Sequence, residues 1–153
     1  MDISPANDRE LPVILALIDE LLAELGAEGR DSAMIDRDRL RADAARNLAS
    51  GRFLALLARD QSDTAIGVLT LSRNFALYAG GEYGVIDEMY VRPAHRGQGV
   101  GRALLAEAVA IARRERWFRL DVTGPTDESD RRALAFYEKA GFEFTGRKLR
   151  LLL

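Results

Sequence analysis

The sequence predicts an α/β (α+β) fold built on one central sheet, and three observations carry that prediction. Residues 83–91 alternate and are rich in β-branched and aromatic side chains, a glycine-rich loop follows, and residues 102–114 then carry apolar residues at helical spacing. Residues 53–59 and 65–72 are apolar, β-prone runs separated by the polar turn Asp60-Gln61-Ser62-Asp63, which describes a hairpin. A helix lies between the strand ending at Val91 and the β-prone run 117–122, so the usual crossover makes those two strands parallel. Parallel neighbours around a helix N-terminus leave a crevice for a ligand.

The remaining elements follow in chain order. Residues 3–6 form at most a short first strand. Asn7 or Asp8 caps a helix whose apolar stripe, Leu11, Ile14, Leu15, Ile18, Leu21, Leu22 and Leu25, ends at Gly26, with Pro12 tolerated in the first turn. Asp19, Glu20, Glu24 and Glu28 lie off that stripe and read as a solvent face. Residues 26–35 read as a loop, and 36–50 as a second, strongly charged helix stopped by Gly51. Residues 74–81, with Gly80-Gly81, connect the hairpin to the strand 83–91. Trp117, at the start of the next strand, reads as core.

Beyond that strand, 123–128 form a polar loop containing Gly124-Pro125. Residues 129–140 form a helix closed by Gly141 as a left-handed cap with Phe142 behind it. Residues 142–145 and 148–152 read as a closing hairpin turning at Gly146. This makes a mixed, mostly antiparallel sheet of six to seven strands and about four helices, in one domain over residues 1–153 without internal repeats. The apolar closing hairpin is an edge suited to pairing in a homodimer.

Composition narrows the function classes. A chain of 153 residues with 48% hydrophobic and 30% charged residues has a globular composition with a single core. The net charge of -2 gives no electrostatic case for a nucleic-acid partner. There are no cysteines, which removes disulfides, thiolate metal sites and a cysteine nucleophile. The N-terminus lacks the pattern of a signal peptide, and no segment reaches the roughly twenty apolar residues of a membrane span. The expectation is a cytoplasmic protein with neither membrane nor metal. Lys139 and Lys148 are the only lysines, an arginine bias that a GC-rich bacterial genome produces and that carries no functional information.

The glycine loop carries the chemistry. Pro93 removes a ladder donor and holds Arg92 out of the helical region, so the strand stops about there. Gly97, Gly99 and Gly101 let backbone N–H groups converge where the next helix has unsatisfied donors and a positive dipole end. A P-loop needs Gly-Lys-Ser/Thr, and Gly101 is followed by Arg102 and Ala103. A dinucleotide fingerprint needs a third glycine at Arg102, although Asp121 is placed to serve as its acid. An unliganded strand-to-helix turn is the remaining alternative for the glycines alone.

The flanking residues favour a ligand. Arg96-Gly97-Gln98-Gly99-Val100-Gly101 resembles the Arg/Gln-x-x-Gly-x-Gly/Ala signature of the GNAT superfamily of N-acetyltransferases, and Met89-Tyr90-Val91-Arg92-Pro93 resembles the strand leading into it. A second block, Ala133-Leu134-Ala135-Phe136-Tyr137-Glu138-Lys139-Ala140-Gly141-Phe142, is similar to the family's Ala-x-x-Phe/Leu-Tyr-x-x-x-Gly-Phe signature. Two motifs in the right order are far more specific than either alone. The resemblance implies a GNAT-like sheet with two parallel strands splayed at the acetyl-coenzyme A site.

It also implies roles. Gly97, Gln98, Gly99, Val100 and Gly101, with Arg102 and with Arg96 offering charge, would hold the pyrophosphate of acetyl-CoA. Main-chain groups of Met89 and Val91, flanking Tyr90, would pair with the pantetheine arm, and one of their N–H groups would face the developing oxyanion. Asp130, Ala133 and Tyr137 complete the implied donor site. Asp130 departs from the pattern: the family usually has Asn there, and Asp keeps an acceptor, loses the amide donor and adds negative charge. The same resemblance makes Glu24 and Glu28 candidates for recognising a cationic acceptor.

Acetyl transfer without a cysteine carrier is most economical as direct attack by an amine in a ternary complex. A lysine-type amine with a pKa of about 10.4 is neutral in roughly one molecule in a few thousand at pH 7, so a base helps. Asp87 and Glu88 on the strand before the loop and Asp121 on the next strand are the candidates. Simple alternation puts Asp87 on one face with Met89 and Val91, and Glu88 on the other with Ile86 and Tyr90. By resemblance, Tyr137 is the general acid toward the thioester sulfur. A tyrosine pKa near 10 against a thiol near 8.5 makes full transfer cost about 2 kcal/mol, so a hydrogen bond to the sulfur is the less costly role. His95 reads as an exposed loop residue. The expected function is transfer of acetyl to a small cationic amine, such as a polyamine or diamino compound. A peptide acceptor and a non-catalytic acyl-CoA regulator are the alternatives.

Overall fold

The chain folds in the order β1 (Asp2–Pro5), α1 (Leu11–Glu24), α2 (Arg37–Ala49), β2 (Phe53–Arg59), β3 (Ala65–Ala76), β4 (Gly81–Val91), α3 (Val100–Arg114), β5 (Leu120–Val122) and α4 (Arg131–Lys139). The computed structural model describes residues 1–26, 36–123 and 131–146. Its strands form one sheet in the order β1-β2-β3-β4-β5, antiparallel from β1 to β4 and parallel between β4 and β5. The crossover between β4 and β5 is α3, as the glycine-loop segment predicts.

Two apolar clusters sandwich the sheet. On one face Ile14 and Leu17 of α1 and Leu48 of α2 pack on Ala55, Leu57, Val68 and Tyr90. On the other, Leu104, Leu105, Ala108 and Ile111 of α3 pack on Leu56, Leu69, Leu71 and Ile86, joined by Trp117 and by Tyr137 of α4. Burial of each such leucine is worth about 1.5–3 kcal/mol, so these faces fix the strand register.

Several boundaries differ from the sequence expectation. Asn7 caps a 3-10 turn over Asp8–Glu10, closed by a reciprocal bond to Glu10, and α1 begins after it. Asp36 and Ser50 are caps of α2 rather than members, because the Asp36 side chain accepts from the Asp38 and Arg39 amides. The connector 74–81 shrinks to a 3-10 turn over Leu77–Ala79, since β3 runs on to Ala76 and pairs with Gly81. Trp117 is core, as expected, but precedes the strand, which is only Leu120–Val122.

The sheet has five strands among the described residues, fewer than six to seven. Residues 142–145 do not form a strand: the Phe142 amide caps α4 by donating to the Tyr137 carbonyl at 3.0 Å, and its ring meets Tyr137 edge-on. The other half of the expected hairpin, 148–152, and the loop 124–128 lie outside the described residues. Among the described residues no helix is long and apolar enough to cross a membrane.

Gly84 is required by packing rather than by backbone conformation. A Cβ there would lie 2.2 Å from Cζ3 of the Trp117 ring and 2.8 Å from Leu120 Cδ1. Trp117 is held against β4 by that vacancy, next to the point where β4 and β5 begin to pair. Gly84→Ala is therefore expected to lower unfolding stability by about 1–3 kcal/mol, read as a shift of the urea midpoint.

Candidate functional site

The loop leaves the sheet as its sequence requires, with β4 ending at Val91 and a 3-10 turn over Pro93–His95. His95 there is half-buried rather than exposed; hydrogen bonds from Ser62 and Thr64 hold the nearby Asp60 carboxyl below its usual range, with His95 a minor contributor. Gly97 and Gly99 adopt left-handed backbone, φ 75° and 85°, and a Cβ at either position would meet nothing within 4 Å. The main chain of the loop is thus open at both glycines. Gly99 caps α3 without a side-chain bond, and the Ala103 amide makes its bond to the Gly99 carbonyl at 3.0 Å. The N–H groups of Val100, Gly101 and Arg102 therefore project from the helix end with no intrahelical partner. This is a fit for a pyrophosphate. Gln98 braces the loop by donating to the Ala94 carbonyl at 3.0 Å, and Arg102 is exposed, with no ion pair among the described residues.

Arg96 corrects the sequence expectation. Its guanidinium is not free beside the loop: it is bidentate to Glu24 at 2.8 and 2.6 Å, donates through Nε to the Val91 carbonyl at 2.7 Å, and lies over the Tyr90 ring at 5.5 Å. One turn earlier on α1, Glu20 makes the same kind of fork with Arg92, the closest contact being 2.7 Å. The α1 acids are thus solvent-facing, as expected, but tied into ion pairs. Asp19 pairs with Arg37 as well, at 2.7 Å. Glu24 is committed to Arg96, and Glu28 lies outside the described residues.

A bulge in β4 changes the side-chain faces. Leu69 pairs with Met89 and Leu71 with Ile86, so Asp87 and Glu88 together oppose Thr70. The extra residue puts Ile86 and Met89 on the α3 side, where Met89 and Val91 pack against the cluster containing Tyr137. Glu88 shares the other face with Tyr90 but not with Ile86, and Asp87 is exposed. Hydrogen-bonding edges switch as well. The Gly84 amide donates toward β5, to the Arg119 carbonyl at 3.2 Å, whereas the Arg92 amide donates toward β3, to Ile66 at 3.0 Å. Alternation back from Arg92 then turns the Met89 and Val91 amides toward the edge facing β5. Pairing with β5 has already stopped at Ile86 and Val122. Among the described residues nothing pairs with this main-chain edge beside the glycine loop, which suits an extended, amide-bearing ligand.

The carboxylates separate by environment. Asp121 is paired with Arg119 at 2.9 Å, and that guanidinium lies against the rings of Tyr78 and Tyr83 at 4.9 and 4.8 Å. Glu88 is half-buried on the same sheet face. Burial pushes its carboxyl above the usual range, the charge of Asp87 adds to that, and a hydrogen bond from Thr70 opposes it. Glu88 Oε2 accepts from Thr70 Oγ1, while Oε1 has no partner among the described residues. Residue Asp130 lies outside the described residues, and Ala133 sits in the first turn of α4. Tyr137 is 8% exposed, edge-on to Phe136 and Phe142, and Phe136 lies 3.7 Å from where a Cβ on Gly101 would be. The two signature blocks therefore meet at the start of α3.

Thr70 was not singled out from the sequence, although it is the one polar residue in the run Ala65-Ile66-Gly67-Val68-Leu69-Thr70-Leu71. The arginine partners of Glu20 and Glu24 carry no sequence signal, since each pair spans 72 residues.

A glycine loop with outward main chain, a strand edge with no partner among the described residues and a carboxylate on the opposite sheet face are thus brought together at the start of α3. The chain belongs to the Acetyltransferase (GNAT) family, whose model matches residues 15–142. Members of that family use acetyl-CoA as donor. It is 33% identical over 72 residues to glucosamine 6-phosphate N-acetyltransferase of Trypanosoma brucei brucei, covering 47% of this chain and 46% of that protein. It is 31% identical over 91 residues to peptidyl-lysine N-acetyltransferase YjaB of Escherichia coli K12, covering 60% and 50%. The chain thus spans about half the length of the curated relatives it matches. In fold it is similar to a predicted acetyltransferase with acetyl-CoA from Clostridium acetobutylicum, with a TM-score of 0.81, 20% identity, and coverage of 99% of this chain and 95% of that one.

The two forks give a pH signature. Hydrogen bonds from Arg92 and Arg96 hold the Glu20 and Glu24 carboxyls below the usual value of 4.5. A depressed folded-state pKa means that the stabilisation is present above the unfolded value and is lost as pH falls through the lowered ones. Both carboxylate side chains are more than a third exposed, at 37% and 44%, so solvent screening limits each pair to less than about 1 kcal/mol. The stability gap between the native chain and a Glu20→Gln/Glu24→Gln variant should be widest near neutral pH and close on acidification, as followed by urea denaturation.

Proposed function

We propose that this chain is an acetyl-CoA-dependent N-acetyltransferase that transfers acetyl directly to a primary amine of a small cationic acceptor, of the polyamine or diamino class. The observation that carries the reading is the Glu88 carboxylate, fixed through one oxygen and open at the other, on the sheet face opposite Tyr137. The half of that face outside α1 and α2 is polar. Register places Ser72 opposite Val85 and Val85 beside Asp121, with Asn74 opposite Tyr83. Among the described residues the carboxyls of Glu88 and Asp121 share that face with the single guanidinium of Arg119, which favours a cationic acceptor.

Acetyl-CoA, when bound, supplies the activated acyl group. Backbone donors of residues 97–102 would hold its pyrophosphate, and the Met89 and Val91 amides on the open edge would pair with its arm. Glu88 Oε1 takes a proton from the acceptor ammonium. Burial raises the basicity of this carboxylate above that of an ordinary one, which brings it nearer to the task. Tyr137, buried on the α3 side, holds a proton for the departing sulfur. The absence of cysteine supports direct transfer rather than a thiol carrier.

The test is coenzyme A thiol release with acetyl-CoA across polyamines, diamino acids, aminoglycosides and lysine peptides. Release is expected with the first two classes. Glu88→Gln should lower kcat/KM roughly a hundred-fold and remove the acidic limb of its pH profile. That limb in the native chain should fall at higher pH than an unperturbed carboxylate would give, because the base is active only when deprotonated. Tyr137→Phe should cost about tenfold, the rate equivalent of one hydrogen bond of about 1.4 kcal/mol. Turnover on lysine peptides alone would assign the acceptor to protein, and acetyl-CoA binding without release on any amine would leave a regulator.

A further inference from the structure

We infer that Thr70 is a positioning residue: its hydroxyl locks the β4 bulge and holds the Glu88 carboxylate with one oxygen engaged and the other presented to the acceptor face. The inference rests on the assignment of Glu88 as base. Thr70 is 0% exposed and is the buried polar residue among the described core residues. Its Oγ1 accepts from the Glu88 amide at 3.0 Å and donates to Glu88 Oε2.

The chemistry of a hydroxyl makes that arrangement directional. Thr70 Oγ1 has one proton and two lone pairs, and the amide occupies a lone pair, so the proton points to the carboxylate. A bulge leaves its extra residue without a regular ladder partner, and the Thr70 hydroxyl gives the Glu88 amide an acceptor there. One side chain thus satisfies the bulge and orients the base. Serine would keep both bonds, whereas valine keeps the shape and loses both. The ionisable neighbours are few: Asp87 and Tyr90 on β4, Asp121 closed by Arg119 on β5, and from α1 Glu20 and Glu24, each closed by an arginine. None of these pairs involves Thr70, so a substitution there leaves them in place.

The experiment is a carbon-13 NMR titration of the glutamate carboxyls in the full chain, with Glu88→Gln identifying the resonance, alongside kcat on whichever amine turns over. Thr70→Val should move the Glu88 titration to higher pH and lower kcat about tenfold with KM for acetyl-CoA unchanged; Thr70→Ser should restore both. Thr70→Ala repeats the test should the valine variant fail to fold. If the substitutions lower the melting temperature while the Glu88 titration stays where it is, Thr70 is structural only and the inference fails. If the titration moves as expected but Glu88→Gln retains full turnover, the base assignment falls, and with it the role given to Thr70 in catalysis.

Discussion

Much of this structure depends on the extra residue in β4. Without the bulge at Asp87 and Glu88, strict alternation would send Ile86 and Tyr90 to one face and would turn the Met89 and Val91 amides toward β3. With it, both faces of the strand stay apolar where they meet helices, and the loop-proximal half, still paired with β3, turns its Met89 and Val91 amides to the edge that β5 no longer covers. The same irregularity brings a carboxylate to the face away from α3 while the tyrosine of α4 stays on the α3 side. Donor and acceptor chemistry can thus approach one strand from opposite sides, which a regular strand in a paired sheet would not allow.

The entry to the glycine loop is braced from a region remote from it in sequence. Five acceptor oxygens hold Arg92 and Arg96, the two arginines that precede the glycines, and α1 supplies four of them through Glu20 and Glu24. Arg96 illustrates the economy of the arrangement: one planar guanidinium ties helix, strand end and aromatic ring together. The motif arginine is thus a brace, whereas Arg102 stays exposed with no ion pair among the described residues.

The elements with strong periodicity were legible in the sequence. The β2–β3 hairpin, the β4-loop-α3 unit, its parallel partner and the α1 stripe all follow from patterning and glycine placement. The faces of β4 were not legible, because a bulge obeys the needs of a neighbouring strand and leaves period-2 patterning looking intact up to Val91. The choice among Asp87, Glu88 and Asp121 depended on partners: Arg119 engages one, Thr70 another, and neither partner is adjacent in sequence to the site motif. Phe142, read as a strand residue, instead closes the helix before it, since a buried ring and a cap bond outweigh β propensity at that point.

Every ion pair among the described residues rests on arginine, and the whole chain holds only two lysines, Lys139 and Lys148. A guanidinium stays protonated at any physiological pH and is a poor nucleophile, whereas a lysine amine is the standard target of acetylation. The braces around the loop are therefore inert toward the very thioester that members of this family use. A scaffold assembled this way does not erode its own electrostatics through self-modification, however long it spends loaded with an acyl donor.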